Sequence, residues 1–252
     1  MSDAAAAVVT TLEIAPGIVQ ITMQDRERKN TFSAALIEGL IGAFAAIAQR
    51  EDCKAVILTG YDSYFCSGGT QESLLALHDG KAKFTDVNLY GLALDCRVPV
   101  IAAMQGHGIG GGFVMGLYAD FVLLSRESVY TTNFMNYGFT PGMGATLIVP
   151  EKLGMPLAQE MLFTARNYRG EELKQRGIPF PVLPRAEVLG EAINLAGQLA
   201  EKPRVALVTL KDRLTASLRQ RLPASIEQEV SMHAQTFHSE EVKNRIETRF
   251  GK

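Results

Sequence analysis

Two five-residue apolar runs, each leading into a glycine-rich stretch, constrain this chain more than any other feature. Ala55-Val56-Ile57-Leu58-Thr59 precedes Phe65-Cys66-Ser67-Gly68-Gly69, and Val100-Ile101-Ala102-Ala103-Met104 precedes Gly106-His107-Gly108-Ile109-Gly110-Gly111-Gly112. Runs of this length and character read as strands. Glycine lets backbone approach a ligand closely and permits turns with φ > 0. Two such loops at strand ends aim two N–H donors at one oxygen, which is what stabilising an oxyanion requires. Taken singly, each loop is more simply a sharp turn packed against a helix.

Nucleotide binding fits poorly. Gly106-x-Gly108-x-x-Gly111 matches a GxGxxG pattern, but the region about 20 residues on, where that fingerprint needs an acidic residue, reads Leu123-Leu124-Ser125-Arg126. No Gly-Lys-Ser/Thr phosphate loop occurs. A net charge of −2 gives no reason to expect a nucleic-acid partner. No apolar run is long enough to span a membrane. Residues Met1 to Ala7 lack a basic n-region, so a frayed tail is expected rather than a signal peptide. The odd cysteine count argues against a disulfide framework, and a cytoplasmic location is expected. Cys53, Cys66 and Cys96 show no paired or metal spacing, and the four histidines form no His-x-x-x-His pattern. Neither a metal nor a cofactor is expected. Cys66 reads as a small buried filler.

Along the chain, Val8–Glu13 and Ile18–Met23 flank Ala15-Pro16-Gly17 and predict a hairpin. Ser33 is a candidate N-cap for a helix whose one face carries Ile37, Leu40, Ile41, Phe44 and Ile47. A short helix is predicted over Gln71–His78, another from Thr85 through Cys96, and an apolar one over Gly110–Tyr118. The repeating strand, turn, helix, strand order argues for an α/β fold with largely parallel pairing. From Pro184 onward the chain is helical, with segments Glu187–Leu199, Arg204–Leu218 and Ala224–Phe237, and Pro203 and Pro223 at helix starts. The organisation expected is a core over 1–183 and a helical region over 184–252.

These residues resemble the crotonase (enoyl-CoA hydratase/isomerase) superfamily over nearly the whole length. The two loops resemble its oxyanion-hole segments, and Tyr137-Gly138-Phe139-Thr140-Pro141-Gly142 its third signature turn. The resemblance implies a spiral of ββα units with a C-terminal helical trimerisation region. It also implies that the N–H groups of Gly69 and Gly111 bind a thioester carbonyl. The two glutamates with which hydratases handle water correspond here to Val114 and Phe134, which cannot exchange a proton. Both are expected as apolar pocket walls. Leu58-Thr59-Gly60-Tyr61-Asp62, Ala102-Ala103-Met104-Gln105-Gly106-His107, the Thr132–Pro141 segment and Tyr168-Arg169-Gly170 are similar to the decarboxylating crotonases of polyketide β-branching cassettes. One subgroup of those enzymes carries Tyr and Lys where this chain has Ser73 and Leu77, so its acid–base roles do not transfer whole.

The polar group must come from elsewhere. Leu222, Ile226, Val230, His233 and Phe237 step by four, four, three and four, which puts His233 on a buried helical stripe and His238 off it. A hydrogen-bonded core histidine is the bland alternative; the matching position in the decarboxylases is a catalytic histidine. Lys83, in a polar segment beside the first loop, is the second candidate, with Lys81 as fallback, although both are as readily solvated. Thr70–Lys83 is expected to form a mobile cover.

The implied reaction removes CO₂ from a 3-methylglutaconyl thioester on an acyl carrier protein and yields a 3-methylcrotonyl-type product. Gly69 and Gly111 stabilise the dienolate, Lys83 binds the leaving carboxylate and His233 returns a proton. Other readings are an enoyl-CoA isomerase and a non-catalytic carrier-binding trimer. A homotrimer or dimer of trimers is expected.

Overall fold

The computed structural model describes residues 7–250. All but Ala7 of the expected frayed tail lies outside the described residues. Among the described residues ten strands form two sheets. The larger has the order β1 (Val9–Ala15), β2 (Ile18–Met23), β3 (Ala55–Thr59), β5 (Val100–Met104), β7 (Phe121–Ser125) and β10 (Val182–Leu183). The smaller contains β4 (Tyr64–Cys66), β6 (His107–Ile109), β8 (Val129–Thr131) and β9 (Tyr168–Arg169). Only β1–β2 and β8–β9 pair antiparallel. Three successive strand pairs, β3/β4, β5/β6 and β7/β8, each place one strand in each sheet. That is the spiral of ββα units, and it stacks the glycine loops along one edge.

The helices are α1 (Ala34–Ala48), α2 (Gln71–His78), α3 (Leu92–Asp95), α4 (Gly111–Leu117), α5 (Ala145–Leu153), α6 (Met155–Thr164), α7 (Gly170–Gln175), α8 (Arg185–Ala200), α9 (Arg204–Thr236) and α10 (Glu240–Arg249). Residues along a strand alternate between faces. Val56, Leu58, Val100, Ala102 and Met104 therefore point into the main core. Ala55, Ile57, Ile101, Ala103 and Leu123 meet Val188, Ala192 and Ala196 of α8 on the opposite face. Both faces of β3 and β5 are covered, which is why these runs are continuously apolar. The C-terminal region is thus partly a layer over the sheet. Lys211 on α9 is 3% exposed and donates to Asp120 at 2.7 Å and to the carbonyls of Ala93 and Val98 at 2.9 and 3.1 Å.

Three local expectations are corrected. The predicted helix from Thr85 through Cys96 shrinks to Leu92–Asp95, because Asn88 Oδ1 accepts the Gly91 N–H at 3.0 Å and holds a turn there. Pro223 does not start a helix: α9 runs unbroken through it. Proline frees the carbonyl four residues back, and Pro223 lies on the solvent side while packed residues on both flanks hold the helix. On α1, Ile41 is 41% exposed and Leu36 takes its place in the core. Ser33 does cap this helix, its Oγ accepting the Leu36 N–H at 3.2 Å.

Candidate active site

The two glycine loops meet because glycine permits contacts that no other residue would. At Gly68, with φ +77°, a Cβ would lie 2.7 Å from the Ile109 carbonyl oxygen and 3.2 Å from the Gly111 nitrogen. On Gly112 it would lie 2.3 Å from the carbonyl oxygen of Cys66. Gly110, with φ +54°, turns β6 into α4, and its N–H donates to the Thr131 carbonyl at 2.8 Å. The first loop is braced from behind. Phe32 N–H donates to the Gly68 carbonyl at 2.7 Å, and the Asn30 amide donates to Met23 and Phe65 carbonyls at 3.0 and 2.9 Å.

A cavity of about 230 Å³ opens over this junction, and Gly69 and Gly111 both line it. Among the described residues neither glycine N–H has an acceptor. Lys83 also lines the cavity, from the irregular 79–91 segment, and its own N–H donates to Asp86 Oδ2 at 2.8 Å. Lys81 instead pairs with Asp79 at 2.7 Å on the surface. Phe134 forms part of the wall, as expected. Val114 does not: it is fully buried in the main core. Met143 takes the space beside the first turn of α4, its sulfur 2.6 Å from where a Cβ on Gly111 would be. Ser73 and Leu77 line the cavity, but Ser73 is committed to a capping box with Thr70 that starts α2. The Thr70–Lys83 segment is therefore not a single loop; its first part is a capped helix joined to α10 through Gln71 and the Ile246 carbonyl at 3.2 Å.

His233 is buried on α9, as its spacing predicts, but the stripe differs in one member. Val230 is 40% exposed and Glu229 is buried in its stead. Glu229 accepts from the N–H groups of Gly144 and Thr146 at 2.6 and 2.9 Å and from the Thr146 hydroxyl at 2.6 Å, capping α5 from a distant helix. Burial pushes its carboxyl upward, against those donors. His233 does not line the main cavity. It borders an adjoining pocket of about 10 Å³, behind the ring of Phe84 at a centroid distance of 4.6 Å. Its Nε2 is 2.9 Å from the Thr140 carbonyl, so Nε2 carries the hydrogen and donates. Burial holds its pKa below the ordinary value, with the Thr140 and Pro141 carbonyls opposing. The imidazole is neutral near pH 7, and its N–H is already engaged. Phe84, Tyr90 and Met143 form the partition between the two spaces. His238 lies elsewhere, donating to the His78 carbonyl at 2.7 Å.

Outside the cavity is a groove of about 740 Å³ that shares Ser67, Asn133, Tyr137 and Phe250 with it and carries Arg28, Lys29 and Arg249. Cys66 is buried beneath the first loop, its thiol pushed up to about 12, and its Sγ donates to the Asn30 carbonyl at 3.0 Å. That is a packing role. Among the described residues no group of three His, Cys, Asp or Glu is placed to hold a metal, and no helix is long and apolar enough to cross a membrane.

Two free N–H donors in a largely apolar cavity, lined also by Lys83 and Asp86, suit charge stabilisation on a thioester better than addition of water. Known proteins resemble this chain in sequence and fold. The chain is 66% identical over 244 residues to the bacillaene synthase decarboxylase PksI of Bacillus subtilis (strain 168), covering 97% of this chain and 98% of that one. A solved structure from a dehydratase/decarboxylase enzyme couple involved in polyketide β-branching superposes with a TM-score of 0.97 at 66% identity, over 97% of this chain and all (100%) of that one. The ECH2 decarboxylase domain of CurF from Lyngbya majuscula superposes with a TM-score of 0.93 at 50% identity, again over 97% and 100%. With its residues 13–250 matching the enoyl-CoA hydratase/isomerase family model, and with the paired glycine donors in place, the chain belongs to the enoyl-CoA hydratase/isomerase (crotonase) family.

Proposed function

We propose that this protein decarboxylates a 3-methylglutaconyl thioester carried on an acyl carrier protein, giving a 3-methylcrotonyl thioester during polyketide β-branching. The observation that carries the reading is one cavity lined by Gly69, Gly111 and Lys83, whose wall at Phe134 is apolar where the family resemblance puts a hydratase glutamate. Its similarity to PksI and to the CurF domain supports it.

The thioester oxygen binds the N–H groups of Gly69 and Gly111. The bond between C4 and the carboxylate carbon breaks, and its electron pair moves through the conjugated system to that oxygen. Charge on the oxygen grows toward the transition state, so the donors favour that state over the ground state. Lys83 orients the carboxylate before it leaves as CO₂. His233 supports the reaction from behind Phe84 and Tyr90. The chemistry needs no cofactor beyond the phosphopantetheine arm that bears the substrate.

The groove with Arg28, Lys29 and Arg249 is the entrance for that arm, and its positive rim suits an acidic carrier. Val205, Leu210 and Leu214 on α9 are 72%, 57% and 72% exposed, apolar surface that suits a homotrimer or dimer of trimers. Light scattering at micromolar concentration checks the assembly; a monomer mass contradicts it. The test of function is mass spectrometry of a 3-methylglutaconyl carrier protein incubated with the enzyme. A product lighter by one CO₂ is expected, and an unchanged mass refutes the proposal.

A further inference from the structure

Decarboxylation leaves a dienolate with two carbons that can take a proton. Protonation at C4 gives the conjugated 3-methylcrotonyl thioester; protonation at C2 gives its 3-methylbut-3-enoyl isomer. A decarboxylase that delivers one product needs a donor aimed at one carbon, and His233 is poorly placed for this. Its hydrogen is given to the Thr140 carbonyl, and Phe84 stands in front of its ring.

We propose that Tyr90 is a further catalytic residue, whose phenol delivers the proton to C4 of the dienolate and thereby selects the product isomer. The inference rests on the decarboxylase reading above. Tyr90 is 7% exposed and borders both the main cavity and the small pocket that holds His233. Among the described residues its hydroxyl makes no hydrogen bond, and the one fully enclosed side-chain polar atom without a partner is Arg185 Nε. The hydroxyl is therefore not fully enclosed, and the residue lines both spaces. Burial, reinforced by Glu229 and Asp95, raises its pKa and keeps it protonated.

The other hydroxyls on the wall are less suited. Ser73 is spent in its capping box, its Oγ donating to the Thr70 carbonyl at 2.9 Å. Ser67 and Tyr137 also border the outer groove. Lys83 is occupied with the carboxylate. In the step itself the phenol O–H bond breaks, and the dienolate supplies the electron pair for the new C4–H bond. The phenolate then recovers a proton from water, so one proton is consumed and one CO₂ released per turnover.

The test compares wild type with Tyr90→Phe on a 3-methylglutaconyl carrier protein in D₂O, following CO₂ release and reading the product isomers by NMR. A thermal melt accompanies it, because the phenylalanine keeps the ring and gives up no intrachain hydrogen bond. The expected variant is folded, about 10²-fold slower in forming product, and yields a mixture with 3-methylbut-3-enoyl thioester where wild type yields one isomer. A rate and isomer ratio within about twofold of wild type, the scale at which a donor's typical contribution would be absent, overturns the proposal. So does a slower variant with an unchanged isomer ratio, since a merely structural tyrosine slows the reaction without redirecting the proton. Absence of CO₂ release from wild type refutes the decarboxylase reading, and the assignment of Tyr90 with it.

Discussion

The two sides of the cavity are built on different principles. The oxyanion side is backbone: Gly69 and Gly111 lie just beyond strands tied into a sheet, and next to them, at Gly68 and Gly112, the loops approach so closely that a side chain would not fit. The opposite side is made of side chains. Lys83, Phe84 and Tyr90 hang from a segment without regular structure over Gly80–Gly91, and His233, outside the cavity behind Phe84, comes from a helix far along the chain. Charge stabilisation works best from donors that do not reorganise. Handling a carboxylate and a proton calls for groups that approach and withdraw. The fold gives the first task to its most constrained region and the second to a less regular one.

The comparison breaks first if the side-chain half can be removed at no cost. Lys83→Ala and His233→Ala are expected to lose about 10²-fold in CO₂ release while staying folded, the first by leaving the carboxylate unoriented and the second by letting Phe84 and Tyr90 shift. Lys81→Ala and His238→Ala should lose much less, since Lys81 pairs with Asp79 and His238 caps the carbonyl of His78 on the surface. Near-normal rates for both principal variants would leave the backbone half to act alone.

Substituting the backbone half tests the other claim. Gly112→Ala drives a Cβ against the Cys66 carbonyl and separates the loops. Misplacing an oxyanion donor costs about 10²–10³-fold in kcat, and overpacking costs about 1–3 kcal/mol of stability. Denaturation and turnover measured together should show both losses here, in contrast to the folded but slow side-chain variants.

A smaller effect is expected at the entrance. Replacing Arg28, Lys29 and Arg249 together by alanine should raise KM for the carrier-bound substrate about tenfold at low salt with kcat little changed, and added salt should narrow the difference. An equal effect on a substrate without the carrier would show that the rim reads the arm rather than the protein.

The smallest effect is a pH slope. His233 is held neutral, with its pKa below the ordinary value. As pH falls through the ordinary histidine value, near 6.5, the unfolded chain takes up a proton that the folded one refuses, so stability falls by up to about 1.4 kcal/mol per pH unit. Glu229, whose pKa burial raises, acts in the opposite sense: its contribution is full below the ordinary glutamate value and is lost as pH rises. Denaturant titrations from pH 7 to 5 should be flatter for His233→Gln than for wild type and steeper for Glu229→Gln. Parallel curves would mean that neither group changes protonation on unfolding.

Much of this was written locally. Apolar runs of strand length, loop glycines and the Ser33 cap predict an α/β fold with largely parallel pairing and two loops at strand ends, because a strand covered on both faces and a turn with φ > 0 demand those residue types at those positions; the ββα spiral is what the family resemblance implies. The four-residue steps around His233 predicted its burial. They could not reveal Glu229 in place of Val230, since that carboxylate is buried by donors at Gly144 and Thr146, more than 80 residues away in sequence. Nor could they put Phe84 in front of the imidazole, withdraw Val114 from the cavity, or carry α9 through Pro223. Local sequence determined where the backbone bends and which faces are apolar, because those depend on steric limits within a few residues. Which side chains share the cavity, and with what protonation, only the tertiary structure decided, because desolvation and hydrogen bonding are set by neighbours that folding alone brings together.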